Sequence, residues 1–279
     1  MENPSNVVEF LNEKARELRC NVVSMIHTAK SGHPGGALSA ADIMTVLYWN
    51  ELRVRPQEPN WPQRDRVILS KGHTCPVIYA ALAMKGFFNM SVLQTLRKMG
   101  SILQGHPDMK KVPGLDMTSG SLGQGLSIGV GMAIGAKADQ LSSRVYVILG
   151  DGEIQEGQIW EAAMSAAKYK LDNLVAIVDA NNLQVDGFCS DIMPIEPIDK
   201  KWEAFGWEVI KIDGHDISQI LDVFAKAKQV KGKPVCIIAV TVKGKGVDYM
   251  ENVCEWHGMA PSDEECERAL CQLKGGKSA

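Results

Sequence analysis

The sequence predicts an α/β chain built on one doubly wound parallel sheet with helices on both faces, and three observations carry that expectation. Val145–Leu149 and Leu174–Val178 are short apolar runs rich in strand-forming residues. Between them, Glu156 to Lys170 sets Ile159, Ala162, Ala163, Ala166 and Ala167 along one helical side, so the three pieces read as a β-α-β unit. Pro234 to Val242 is the most continuous apolar run of the chain, as expected for a central parallel strand covered on both faces.

Taken in order, Val7 to Ala29 is a helix whose apolar residues at 7, 8, 11, 15, 18, 22 and 26 form one docking face. The loop Ser31-Gly-His-Pro-Gly-Gly36 leads into a second helical pattern over Leu38–Trp49. Glu51–Arg66, rich in Pro, Arg and Trp, is irregular. Val67–Leu69 is a short strand running into Ser70-Lys-Gly-His-Thr74, and Pro76 suits the first turn of a helix through Met84. Met99–Ser121 holds many Gly and Pro residues and is expected to be a long, ordered active-site loop. Leu122–Ala138 carries Gly123, Gly125, Gly129, Gly131 and Gly135, which are costly in an isolated helix. Such a helix belongs where backbones pack closely, in the core or at a subunit contact. Beyond the central unit come Val185-Asp-Gly187, a helix near Pro197–Phe205 and a strand over Trp207–Ile212. A helix to Lys228 follows, with Asp216 as its N-cap. Residues 1–273 read as one domain and 274–279 as a flexible tail.

At 279 residues the chain is long enough to bury most of its apolar surface. A net charge of −3 argues against nucleic acid or an anionic membrane as partner. No apolar stretch reaches the roughly 18 residues of a membrane span, and the first residues lack the basic and apolar regions of a signal peptide. Seven cysteines without a C-x-x-C pair read as reduced thiols of a cytoplasmic protein.

Chemistry concentrates at two strand ends. Gly150-Asp151-Gly152 closes one strand of the β-α-β unit, and Asn181-Asn182 closes the other. Gly150 and Gly152 let backbone approach a phosphate group, while Asp151, Asn181 and a backbone carbonyl near Leu183 offer hard oxygens to a divalent cation. A tight turn is the plain alternative for Gly-Asp-Gly alone; a nucleotide site is disfavoured because no Walker loop or strand-linked G-x-G-x-x-G occurs. Of six histidines, His33, His73, His106 and His257 each sit beside glycine in a loop. Individually each could be a hydrogen-bonded structural residue. Together they suit a polyhydroxylated substrate and proton transfer near neutral pH. His27 and His215 are read as structural.

Ser31-Gly-His-Pro-Gly35, Ser70-Lys-Gly-His73, Gly105-His-Pro107, Gly120-Ser-Leu-Gly-Gln-Gly125, Gly150-Asp-Gly152, Asn181-Asn182 and Trp256-His-Gly258 stand in an order that resembles transketolase. The resemblance runs from about residue 15 to 262 and covers only the diphosphate-binding half of a usual transketolase. It implies a thiamine diphosphate-binding fold and the amino-terminal subunit of a split enzyme that transfers a two-carbon ketol unit from a ketose to an aldose. It further implies Mg2+ held by Asp151, Asn181 and the Leu183 carbonyl, and Gly152 at the diphosphate of thiamine diphosphate. His73, Lys243 and His257 would face the diphosphate side, and Gly120, Ser121 and Leu122 would line the aminopyrimidine. His33, His106 and His257 would surround the reacting sugar carbons. Glu156 matches a family carboxylate in a hydrogen-bond network with the partner chain, and Glu161 accompanies it, a solvated helix face being the plain alternative. Gly36 stands where some relatives place a serine near the cofactor, so contact there would be missing or backbone-only.

The same resemblance implies a separate carboxy-terminal subunit carrying the glutamate that activates the pyrimidine, and two copies of each chain. Alternatives are another thiamine diphosphate enzyme, such as a deoxyxylulose-phosphate synthase or a 2-oxoacid dehydrogenase component, and a non-catalytic regulatory paralogue.

Overall fold

In the computed structural model, which describes residues 4–276, one sheet is formed by β1 (Arg66–Leu69), β2 (Val145–Gly150), β3 (Leu174–Ala180), β4 (Glu208–Asp213) and β5 (Val235–Val240). The strand order is β1-β2-β3-β5-β4, and every neighbouring pair is parallel. Register aligns Ile148 with Ile177 and Ile177 with Ile237, so apolar rungs cross the sheet.

The alternation of strand side chains divides the interior into two cores. Tyr146, Ile148, Val175, Ile177, Val235 and Ile237 face the larger one. It is completed by α1 (Pro4–Ala29), α3 (Ala41–Val46), α4 (Pro76–Met84), α9 (Ile217–Gln229) and α10 (Asp263–Leu273). Val145, Val147, Leu149, Ala176, Val178, Cys236 and Ile238 face the other, under α5 (Gln124–Ala138), α6 (Gly157–Lys168) and α8 (Ile198–Ala204). Helices on both faces explain why β5, and β3 as far as Val178, are continuous apolar runs rather than alternating ones.

Several boundaries differ from those expected. The helical pattern of Leu38–Trp49 becomes α2 (Pro34–Ser39), α3 and a π-helical turn over Leu47–Glu51. Pro34 opens α2 because a proline in the first helical turn loses no hydrogen bond. The glycines of α5 divide by environment. A Cβ at Gly129 would lie 2.6 Å from Val147 Cγ2, so that glycine permits close seating on the sheet, whereas Gly131 and Gly135 have nothing within 4 Å. The N-cap expected of Asp216 is present: its carboxylate accepts from the backbone N–H groups of Ser218 and Gln219. The expected strand Trp207–Ile212 is displaced by one residue.

Helix α10 follows the last family-like motif and was not expected. Ser262 and Glu265 form a reciprocal capping box, and Cys266, Ala269 and Leu273 bury one face against α1. Of the expected tail, 277–279 lie outside the described residues.

Candidate active site

The carboxyl ends of β1, β2, β3 and β5 converge on one cavity of about 250 Å³. Parallel strands open their C-terminal ends to one edge, so loops distant in sequence meet there. β1 delivers Lys71 and His73, β2 delivers Gly150 to Glu153, β3 delivers Asn181 and Leu183, and β5 delivers Lys243. His257 enters from a later 3₁₀ turn, and Leu122 and Glu156 stand at the mouth.

Asp151 is 2% exposed, and its Oδ1 accepts from Gly152 N at 2.8 Å while its Oδ2 accepts from Asn182 N. Burial and the nearby Asp179 push its carboxyl up to about 6, against the smaller opposing pull of Lys71. Asn181 Oδ1 accepts from Leu183 N at 3.1 Å. Leu183 O accepts from Lys243 Nζ at 3.0 Å. These oxygens are a carboxylate, an amide and a carbonyl, the hard set that suits magnesium. Among the described residues no group of three or more His, Cys, Asp or Glu side chains is placed to hold a metal.

Lys243, 2% exposed, also donates to His257 Nδ1 at 2.8 Å, and burial lowers its ammonium to about 8. The rings of His33, His73 and His257 form a triangle with centroid separations of 5.2, 5.5 and 5.1 Å. Burial first, and neighbouring positive groups second, lower His33 to about 4, His73 to about 2 and His257 to about 3. All three are therefore neutral near pH 7. His33 Nδ1 is buried without a hydrogen-bond partner, an imidazole nitrogen left free to meet a ligand.

A stability prediction follows from those depressed values. An unfolded imidazole, with its ordinary value of 6.5, takes a proton that the folded one refuses. The contribution is complete above about pH 6.5 and is lost as pH falls through about 4 for His33, about 3 for His257 and about 2 for His73. The raised carboxyls of Asp151, Glu153 and Asp116 oppose this by favouring the folded state at acid pH. The depressed His106, Asp42 and Asp179 act in the same direction as the three imidazoles. Urea unfolding of the ligand-free chain is expected to show a lower midpoint at pH 5 than at pH 7; an unchanged midpoint would contradict the assigned burial.

Three residues essential to this geometry were not expected from the sequence. Glu153, 3% exposed, accepts from Ser70 Oγ, from Gly123 N at 2.9 Å and from Gly150 N at 2.9 Å. It fastens three loops around the site. Asp179, fully buried in β3, accepts from Lys71 Nζ, Thr241 Oγ1 and, at 2.6 Å, Ser39 Oγ. Lys71 also donates to Gly36 O at 3.0 Å. Gly36 thus contributes backbone alone, and a Cβ there would stand 2.8 Å from Thr74 Cγ2.

Other expected residues lie apart from this cavity wall. His33 meets it through the imidazole triangle, and Gly120 packs on the ring of His106. Ser121 is exposed and does not line the cavity. Glu156 and Glu161 are exposed in this chain, with Glu156 alone at the cavity.

Residues 11–275 match the family described as transketolase, thiamine diphosphate binding domain. The chain is 44% identical over 264 residues to the 6-deoxy-6-sulfo-D-fructose transketolase subunit SqwG of Clostridium sp. (strain MSTE9), covering 95% of this chain and 96% of that subunit. It is 44% identical over 266 residues to an apulose-4-phosphate transketolase subunit of Phocaeicola vulgatus, covering 95% and 94%. Among solved structures, transketolase from Leishmania mexicana matches with a TM-score of 0.91 at 32% identity. That match covers 96% of this chain and 42% of the Leishmania chain, so the present chain spans less than half of that protein's length.

Proposed function

This chain belongs to the transketolase family as a thiamine diphosphate-binding subunit of a two-chain ketol transferase, and we propose that its cavity binds Mg2+ and the cofactor diphosphate while a second chain completes the site. The observation that carries the proposal is the convergence of Asp151, Asn181, Leu183 O and Lys243 at the ends of adjoining strands.

Asp151, Asn181 Oδ1 and Leu183 O would hold the cation, with Gly152 at the diphosphate and His73, Lys243 and His257 beside it. When bound, thiamine diphosphate supplies the carbon nucleophile and the electron sink for carbon–carbon cleavage. Leu122, with Gly120 and Ser121, borders the side assigned to the aminopyrimidine. His33, His106 and His257, uncharged at neutral pH, serve as proton acceptors and hydrogen-bond partners for sugar hydroxyls. Glu156, exposed at the mouth, is placed to accept from a donor on the partner chain. That partner carries the pyrimidine-activating glutamate and the groups that grip the far end of the sugar. Two copies of each chain make a heterotetramer, with residues 1–273 of this one acting as a single binding domain. Free thiols at Cys20, Cys75, Cys189, Cys236, Cys254 and Cys266 support a reducing, cytoplasmic setting.

The decisive assay supplies Mg2+, thiamine diphosphate, a ketose and an aldose to the chain alone and to its complex with the second subunit. Turnover is expected only from the complex. The donor panel includes ordinary, branched and sulfonated ketoses, since one similar subunit is named for 6-deoxy-6-sulfo-D-fructose and another for apulose 4-phosphate. Full turnover by the lone chain, or pyruvate decarboxylation by the complex in place of ketol transfer, would defeat the proposal.

A further inference from the structure

Arg97 reaches both of the loops that carry His33 and His106. It lies just after a 3₁₀ turn over Met90–Thr95, outside the cavity wall. Its guanidinium donates to Ser31 Oγ at 2.8 Å, two residues before His33. It also covers Gly105, one residue before His106, so closely that a Cβ there would stand 3.0 Å from both its central carbon and Nε. A side chain at Gly105 would press on that guanidinium and displace it.

The arginine backbone is held in an unfavourable state to do this. Its φ of 59° is left-handed, a conformation costly for a side chain of this kind. The bond from Arg97 N to Leu103 O, at 2.8 Å, ties that conformation to the second histidine loop. The same loop is pinned from α4, where Tyr79 Oη donates to Gln104 O at 3.0 Å and Cys75 Sγ to Gly105 O at 3.2 Å. A strained backbone enclosed by this many contacts is over-determined, which suggests that the position of the guanidinium matters.

We propose that Arg97 is a positioning residue that clamps the Ser31–His33 and Gly105–His106 loops at a fixed separation and presents a fixed positive charge to both imidazoles. The proposal rests on the reading of these histidines as the sugar-facing pair. Arg97 is the largest charged influence on each of them after burial, and it disfavours their protonated forms. His33 is also faced by His106, Lys243 and the rings of His73 and His257; Gly120, which packs on His106, brings no charge. The clamp thus couples geometry to protonation: the imidazoles are set for the same substrate and kept available to accept a proton.

The test compares Arg97→Met and Arg97→Lys in the two-chain complex and in the full chain alone. Arg97→Met removes charge and clamp. Its kcat/KM is expected to fall about 10- to 100-fold at neutral pH, the scale of a misplaced acid–base group. Its acid limb should move to higher pH, because His33 and His106 become easier to protonate. Arg97→Lys retains a charge but loses the planar contact, so efficiency should fall while the acid limb stays near wild type. Cofactor affinity should be unchanged in both, since Arg97 touches none of the diphosphate-side groups.

NMR titration of the histidines in the full chain reads the same effect without turnover. The clamp is overturned if Arg97→Met leaves the His33 and His106 titrations and the pH profile at wild type, or if Arg97→Lys shifts them as far as Arg97→Met. Absence of ketol transfer from the wild-type complex would instead defeat the functional reading, leaving the titrations to judge the clamp.

Discussion

Asp151→Asn is expected to lower the affinity for thiamine diphosphate in the presence of Mg2+ by about 100-fold or more, roughly 3 kcal/mol, while leaving the chain folded. The substitution removes the one formal charge among the three oxygens proposed for the cation. Fold stability without ligand should change little, because two effects oppose. Removing the carboxylate relieves its repulsion with Asp179, but the new amide can no longer accept from both Gly152 N and Asn182 N. Calorimetric titration measures the affinity, and thermal unfolding with and without Mg2+ and cofactor separates the effects. Wild type should gain stability on ligand addition and the variant should gain almost none. Undiminished affinity would show that the cation sits elsewhere.

Asp179→Ala is expected to act on the fold itself. Asp179 has no exposed surface, and its carboxylate satisfies Lys71, Ser39 and Thr241 together. Desolvation would raise its carboxyl, but the adjacent Lys71 ammonium and these hydrogen bonds outweigh it and hold the group below its ordinary value. Removing one member of a buried pair strands the other, at a cost of about 3–5 kcal/mol. For a chain of this size the melting temperature should fall on the order of 10 °C by circular dichroism. Asp179→Asn, which retains an acceptor and the shape, should lose less. Equal melting temperatures for Asp179→Ala and wild type would remove this pair from the account.

The sheet was legible in the sequence because parallel strands covered on both faces are apolar along their length, as Val145–Leu149, Leu174–Val178 and Val235–Val240 are. Asp151 and Asn181 were legible for a related reason: polar residues directly after such strands fall at the open edge. Asp179 was missed because it precedes that edge, inside the buried run Leu174–Ala180. A carboxylate embedded in an apolar strand requires buried partners, and that signal was available. Glu153 offered less warning, since its three donors come from loops more than 25 residues away or from its own turn. Helix α10 was readable from Ser262-x-x-Glu265 ahead of Cys266, Ala269 and Leu273, but its short apolar stripe is interrupted by acidic and basic residues. The division of Leu38–Trp49 into three pieces was not encoded in periodicity, which continues across the joint at Ala40.

Lys243 has a consequence for how the socket waits. Its ammonium spans a carbonyl from the β3 loop and an imidazole from the last motif. This internal cation also offsets the charges of Asp151 and Asp179, and its two hydrogen bonds tie the walls to one another. Loading is then an exchange of partners within a shaped vessel, and little ordering entropy remains to be lost when the guest arrives.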